Sequence, residues 1–351
     1  MSQLISKLDP VVPGFPKKIG GVTVNNPVWL APLAGITFAS LRGFYKELGA
    51  GLVHTEMVSA LGLYHNGRKT KELLYGDESE KPVVLQLFGS NASDISRGAE
   101  IALKLRFFDA LQVNMACPMP KVTKKGSGSK LMEFPDEAAR IIYDLKKFGL
   151  PVWSKIRLIS SDDTSSTHKF CEKLFNSGCD YIFVHGRTPA QRYEGMSSRE
   201  KVGEIANRFN GLIGGSGDCY TPEDFEEYLN LGCTSVLAAR GILKDVFMIP
   251  KTLKKLGADI DTQFIEPDDD FQSELLLKLG RKICKVEGES FALVISRRMM
   301  AALFKGFPGA SQFRRKGAML RSWEEMELLI ENRKEILTES YTEYKKEEDP
   351  I

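Results

Sequence analysis

Short apolar runs alternate with longer amphipathic stretches through the first two thirds of the chain. Eight runs read as strands: Val28–Leu33, Leu52–Glu56, Val83–Phe88, Ala110–Val113, Val152–Ile156, Tyr181–Val184, Leu212–Gly214 and Ser235–Ala238. They are nearly continuous in Val, Ile and Leu, as a parallel sheet covered on both faces requires. Between them the spacing predicts helices over Ser40–Leu48, Asp94–Leu105, Asp136–Phe148, Ser166–Ser177, Arg199–Phe209 and Pro222–Leu231. Gly49, Gly149, Gly178 and Gly232 directly follow four of these, where glycine commonly ends a helix. Eight strand–helix units predict an α/β fold, a (β/α)8 TIM barrel. Phe15–Val24, with Gly20-Gly21 at its middle, reads as a small hairpin placed to close the barrel bottom.

The pattern changes after the barrel. Residues 1–258 are expected to form the barrel with its N-terminal hairpin, and the acidic stretch 259–270, containing Pro267, a linker. Residues 271–337 read as a small all-helical C-terminal domain, with helices at Phe271–Val286, Glu289–Leu303 and Trp323–Leu337. Residues 338–351 form a charged tail.

Composition narrows the class. At 42% hydrophobic and 27% charged, the 351-residue chain has an ordinary globular make-up. Met1–Asp9 lacks a basic segment and an apolar segment, so no secretory signal is expected. No apolar run approaches the ~18 residues of a membrane helix. The six cysteines show no Cys-x-x-Cys spacing and only four histidines are present. That argues against zinc and a disulfide framework, and for a reducing cytoplasm. Residues 271–335 carry 13 Lys+Arg against 8 Asp+Glu, a surplus of 13 − 8 = +5. Such a segment fits an anionic partner such as RNA, and equally fits an ordinary solvated helical face. Nothing points to an obligate protein partner.

Barrel active sites lie at the C-terminal strand ends. Reading only those ends collects Pro32 and Leu33, Gln86, Asn114 with Cys117, Lys155, His185 with Arg187, Ser216-Gly217-Asp218 and Ala239-Arg240-Gly241. The last two loops, glycine-rich with a cation at Arg240, suit a phosphate nest. Lys155 is either a snorkelling strand-edge lysine, a cation for an anionic ligand, or a Schiff-base amine. Gln86 offers a donor and an acceptor to a heteroaromatic edge. His185 is either a core histidine or part of the mouth. Together they suit a ring cofactor carrying a phosphate, which points to flavin mononucleotide (FMN). Cys117 would by itself read as an inert thiol. Asn114 before it and the stiff Pro118-Met119-Pro120 after it favour a proton donor or nucleophile. Lys121, Lys124 and Lys125 make the following loop basic.

At this point the chain resembles the dihydrouridine synthases. The matching segments are Ala31–Thr37 with Arg42, Glu56-Met57, Gln86–Gly89, Asn114–Pro118 with Lys121-Val122, Gly126–Met132, Lys155–Arg157, His185–Thr188 with Gln191, Tyr193 and Gly195, Gly217-Asp218 and Arg240-Gly241. Lys305–Ala310 with Arg314 and Arg315 is similar to the C-terminal RNA-binding domain of the bacterial B-type branch. The resemblance implies FMN held by Pro32, Leu33, Gln86, Lys155 and His185, with phosphate contacts around Ser216, Gly217, Asp218, Ala239, Arg240 and Gly241. It implies Cys117 as general acid, and Asn114 and Arg187 on the target uracil. It further implies NADPH as reductant and tRNA as substrate, with ribosomal RNA the alternative. Lys121, Lys124, Lys125, Arg297, Arg298, Arg314 and Arg315 would then contact the RNA backbone. The chain departs from the family pattern at Leu33, Met115-Ala116, Ser216 and Ser296–Leu303. The competing readings are a dehydrogenase for a free pyrimidine, a Schiff-base aldolase using Lys155, and an RNA-binding factor without catalysis.

Overall fold

The computed structural model describes residues 8–305 and 309–333. Strands β1 (Lys17–Ile19) and β2 (Val22–Val24) pair antiparallel, the expected hairpin. Eight parallel strands then close a barrel: β3 (Val28–Leu30), β4 (Val53–Ser59), β5 (Val83–Phe88), β6 (Ala110–Met115), β7 (Val152–Arg157), β8 (Tyr181–His185), β9 (Ile213–Ser216) and β10 (Val236–Ala238). Each pairs with its sequence neighbour, and β10 returns to β3. This is the (β/α)8 architecture that the apolar rhythm predicts.

Alternation along the strands sorts side chains into levels inside the barrel. Trp29, Val84, Ala110, Trp153, Tyr181 and Phe183 share one buried cluster with Ile19, Val22 and Val24 of the hairpin. Trp29 stacks on Trp153 at 5.6 Å between ring centroids. One step up, Gln86 and Gln112 sit in register. Another step brings Asn114 beside Lys155, and Arg157 pairs with His185 in register. An aromatic floor, a polar middle and a charged mouth follow from the period of two.

The barrel helices form where expected, within a few residues: Ala39–Glu47, Ala92–Leu105, Pro135–Lys146, Ser165–Asn176, Arg199–Arg208 and Pro222–Asn230. Asn91 and Ser198 cap two of them, and Thr221 with Asp224 makes a capping box ahead of Pro222. Strand β3 stops at Leu30, three residues short of the expected Leu33, and β6 runs two residues past the expected Val113; β4 and β9 also differ. Strand β4 runs on to Ser59 through a bulge, because His54 pairs with Val84 but Met57 with Gln86. Strand β9 includes Gly215 and Ser216, which give no apolar signal. The apolar pattern does not predict the short helices at Ala60–Tyr64, Arg68–Glu72 and Pro120–Thr123, since four or five residues carry no period. Nor does it predict the helix Met248–Lys255.

The described residues divide into two compact units. One takes in residues 8–241 and Met248–Ile260, the barrel. The other takes in Ile242–Phe247 and residues from Asp261 onward. Within 259–270 there is one 3-10 turn, Thr262–Phe264, with Phe264 buried, and the next helix starts at Asp269. The helices of this second unit are Asp269–Val286, Glu289–Leu303, Ala310–Met319 and Trp323–Glu331. The third of these lies where the sequence pattern predicts none. Gly280 admits Trp323 so closely that a Cβ there would lie 1.9 Å from the indole. Phe304 meets Phe313 edge to face at 5.0 Å. Gly306-Phe307-Pro308, the end of the predicted Trp323–Leu337 helix beyond Arg333, and the charged tail lie outside the described residues. Among the described residues no helix is long and apolar enough to cross a membrane.

Candidate active site

The charged mouth opens on a cavity of ≈ 250 Å³ at the C-terminal strand ends. One wall is apolar, from Ala31, Leu33, Leu237 and Ala239, and the other polar, from Lys155, Arg157, His185 and Arg240. Of the residues singled out in the sequence, Pro32, Leu33, Asn114, Cys117, Lys155, His185, Ser216, Gly217, Asp218, Ala239, Arg240 and Gly241 all line it.

The loop after β3 is fixed before any ligand arrives. Thr37 Oγ1 accepts from Leu33 N–H at 3.0 Å, and Gly35 N–H donates to Glu56. Burial raises Glu56 above the usual carboxylate range, opposed by that bond and by Arg42. Arg42 is itself buried, donates to Thr37 O at 2.7 Å and pairs with Glu80 at 2.7 Å.

Cys117 is half-buried at the pocket edge. Its N–H donates to Asn114 Oδ1 at 3.0 Å, as does Ala116 N–H at 3.2 Å. Asn114 Nδ2 donates to Gln86 Oε1 and Met57 Sδ, both at 2.9 Å. Asn114 therefore holds the cysteine loop in an Asx-type turn. Gly128 packs against the same loop so tightly that a Cβ would lie 2.6 Å from Cys117 O.

Positive charge is concentrated and dehydrated. Burial, reinforced by Arg157, pushes Lys155 down to about 7. Burial likewise lowers Arg157 to about 10. His185 is held well below its ordinary value by burial and then by Lys155, so its ring is neutral. Arg157 donates to Ala116 O at 2.7 Å and to Arg192 O at 2.7 Å, which ties the cysteine loop to the turn after β8. Tyr193, half exposed on that turn, lies between Arg157 (5.4 Å) and Arg240 (5.1 Å).

The loop after β9 takes left-handed backbone at Gly217 (φ +122) and Asp218 (φ +48). Burial would raise Asp218, but hydrogen bonds from Arg187 and Ser197 N–H, with the charges of Arg187 and Arg240, outweigh it and hold the carboxyl low. Tyr228 Oη supports this loop through Ser216 O (3.1 Å) and Gly217 O (3.0 Å).

Two of the expected ligand contacts do not reach the cavity. Gln86 is fully buried behind Asn114 and donates to Gln112 Oε1 at 2.6 Å. Arg187 is buried, and its guanidinium is taken by Asp218 (2.8 and 2.6 Å), Glu194 O (3.1 Å) and Gly195 O (2.5 Å). Arg157, which the sequence places with Lys155 at the mouth end of its strand, lines the pocket; so do Met57, Met119, Tyr193, Cys219 and Tyr220, which are not among the expected ligand contacts. Alternation from Lys155 places Arg157; the others come from loops or from the β4 bulge, where period-two reading fails.

Among the residues expected on the RNA backbone, Lys121, Lys124 and Lys125 are all exposed beside the cysteine loop. In the helical unit Arg298 and Arg315 are exposed. Arg297 and Arg314 are half-buried and donate to the carbonyls of Leu320 and Phe304. That engages them in holding helices together.

Comparison with known proteins places the chain in a family. The family model for dihydrouridine synthase matches residues 29–340. A probable tRNA-dihydrouridine synthase of Aquifex aeolicus is 27% identical over 313 residues, covering 88% of this chain and 96% of the relative. tRNA-dihydrouridine synthase B of Pseudomonas aeruginosa is 28% identical over 305 residues, covering 85% and 89%. Among solved structures, Eimeria tenella DHODH in complex with ferulenol shares the fold, with a TM-score of 0.54 at 15% identity over 72% of this chain and 85% of that one. The chain belongs to the dihydrouridine synthase family, and it is an enzyme of that family.

Proposed function

We propose that this member of the dihydrouridine synthase family reduces uridine to 5,6-dihydrouridine in RNA, foremost tRNA, with FMN as bound cofactor and NADPH as reductant, in the cytoplasm. One observation carries the reading. A half-buried thiol, Cys117, is held by Asn114 at the edge of a pocket, beside the cations Lys155 and Arg157 of the neighbouring strand.

The residues present fit FMN. The apolar wall of Ala31, Leu33, Leu237 and Ala239 suits the face of a flat ring. Lys155 and His185 suit its polar edge. Gly217 stands where any Cβ would strike Ser197 Oγ at 2.3 Å, so backbone rather than side chain meets the ligand there. With Ser216, Asp218, Arg240 and Gly241 it would hold the phosphate. Asp218 acts through its backbone, because its carboxylate is occupied by Arg187 and Arg240. Gln86 and Arg187 are assigned supporting roles: Gln86 orients Asn114, and Arg187 fixes the Asp218 loop and the turn bearing Tyr193.

FMN, when bound and reduced, supplies the hydride to C6 of the uracil. Cys117 Sγ–H then gives its proton to C5, completing addition of two hydrogens across the C5–C6 bond. The charge left on Cys117 falls in the field of Lys155 and Arg157, which both interact favourably with it. Tyr193, exposed at the mouth against Arg157 and Arg240, is placed where a base unstacked from RNA can be received. Lys121, Lys124, Lys125, Arg298 and Arg315 supply backbone contacts that offset the cost of unstacking and make binding salt-dependent. The free-pyrimidine reading has no use for these cations.

The reaction is tested with Cys117→Ala. The variant is expected to keep bound flavin and RNA affinity while product formation falls about 10²–10⁴-fold, the usual worth of a general acid. Wild-type turnover by the variant removes Cys117 from the chemistry.

A further inference from the structure

The barrel interior beneath Cys117 holds a run of buried polar side chains that continues past Asn114 and Gln86 to two residues with no role in the proposed reaction, Gln112 and His54. It starts at the backbone N–H groups of Ala116 and Cys117, which donate to Asn114 Oδ1. Asn114 Nδ2 donates to Gln86 Oε1 at 2.9 Å, and Gln86 Nε2 to Gln112 Oε1 at 2.6 Å. Gln112 Nε2 lies 3.4 Å from His54 Nε2, and His54 Nδ1 lies 2.8 Å from the carbonyl of Leu30. His54, Gln86 and Gln112 are wholly buried, and Asn114 is 3% exposed.

The run has one allowed direction. A carbonyl only accepts, so His54 carries its proton on Nδ1. Burial pushes His54 down to about 3, which keeps the ring neutral and leaves Nε2 a lone pair. Nε2 therefore accepts from Gln112, whose oxygen then accepts from Gln86, whose oxygen accepts from Asn114. The far end agrees, because backbone N–H groups only donate. A flip of any amide between these ends sets donor against donor in a low-dielectric interior, where mispairing is costly.

We propose that His54 and Gln112 are positioning residues that lock Asn114 in a single amide orientation and thereby hold the Cys117 loop in place for proton delivery. The part of this concerning turnover rests on the Cys117 chemistry proposed above; the part concerning loop restraint does not. Gln at position 54 can reproduce both functions of the ring, donating to Leu30 O and accepting from Gln112. Leu at position 54 can reproduce neither.

The test compares wild type, His54→Leu, His54→Gln and Gln112→Met as flavin-loaded full-length proteins. Alkylation of Cys117 by iodoacetamide is followed by peptide mass spectrometry, alongside single-turnover dihydrouridine formation and RNA affinity. His54→Leu is expected to alkylate about tenfold faster and to turn over about tenfold slower, the effect of removing one buried hydrogen bond, with RNA affinity unchanged. His54→Gln is expected to return both rates to near wild type. Gln112→Met cuts the run one link on and is expected to match His54→Leu; it decides the question if His54→Leu does not fold. Wild-type alkylation and turnover in the cut variants overturn the proposal. So does a His54→Gln protein as impaired as His54→Leu, since bulk rather than hydrogen bonding would then matter. A wild-type protein that makes no dihydrouridine refutes the reaction instead, and the alkylation comparison still judges the restraint.

Discussion

Lys155 concentrates the site's electrostatics in one side chain. Its ordinary value is 10.5, and burial with Arg157 nearby brings it to about 7. The unfolded chain keeps this amine protonated well above pH 7, so between the two values the unfolded state binds more protons. The flavin-free protein should therefore gain stability from this group as pH rises through that window. Flavin affinity should move the other way. An anionic ligand favours the charged amine, which is already present below pH 7; above it, binding must take up a proton. We predict a dissociation constant for FMN that is flat below pH 7 and rises up to about tenfold per unit above it. Fluorescence titration from pH 6 to 9 checks this, and an unchanged constant would exclude a charged Lys155 from the contact. Lys155→Met should raise the Tm of the flavin-free protein, because it removes a half-buried amine held far below its ordinary value, and should also weaken FMN binding. Lys155, His185 and Cys117 are legible in the sequence because each is a reactive residue at a strand end. Arg157 is legible at the same strand end, but its role in tying loops together is not, since its partners are carbonyls of Ala116, Thr188 and Arg192. Carbonyls belong to every residue and leave no mark in a sequence.

At the scale of elements, the strands carry most of the readable information. Their inward positions step from aromatic to charged along Trp153, Lys155 and Arg157, and from aliphatic to amide along Ala110, Gln112 and Asn114. Period two is enough to place Lys155 and Asn114 side by side. The bulge in β4 is not legible, because two residues opposing one depends on the partner strand. It lets Glu56 reach the loop after β3 while Met57 enters the pocket. The loop after β9 is legible as glycine-rich, though not that Asp218 is committed to two arginines. Gly217 is the position where that loop tolerates least. A Cβ there meets Ser197 Oγ at 2.3 Å and His185 Cδ2 at 2.7 Å, and φ is +122. Gly217→Ala should keep the barrel's circular dichroism and weaken FMN binding by about 1–3 kcal/mol, the usual cost of such strain. A dissociation constant within about twofold of wild type would show that the strain is relieved elsewhere.

At the scale of the whole molecule, a barrel unit with a flavin-type mouth is followed in sequence by a basic helical unit. Surplus charge makes the second unit noticeable, but charge alone does not distinguish cations that face solvent from cations that build the fold. The structure separates them. Arg314 donates to Phe304 O and Arg297 to Leu320 O, whereas Arg298 and Arg315 are exposed. We predict that Arg314→Ala lowers the stability of the helical unit by about 1–2 kcal/mol, because its charge-assisted hydrogen bond to the Phe304 carbonyl is lost. Arg298→Glu with Arg315→Glu should leave Tm unchanged and weaken RNA binding, with the slope of log affinity against log salt falling by about 1 for each phosphate that is no longer neutralised. Unchanged RNA affinity in the double variant would remove this face from recognition. The claim that ties barrel, thiol and cations together is RNA-directed reduction. It is tested most directly by incubating the purified protein with FMN, NADPH and unmodified tRNA or ribosomal RNA, then mapping dihydrouridine by position. The account predicts dihydrouridine at discrete positions with the wild-type protein and at most about a hundredth of that product with Cys117→Ala. A protein that binds flavin and oxidises NADPH yet leaves every uridine in both RNAs unreduced would contradict it.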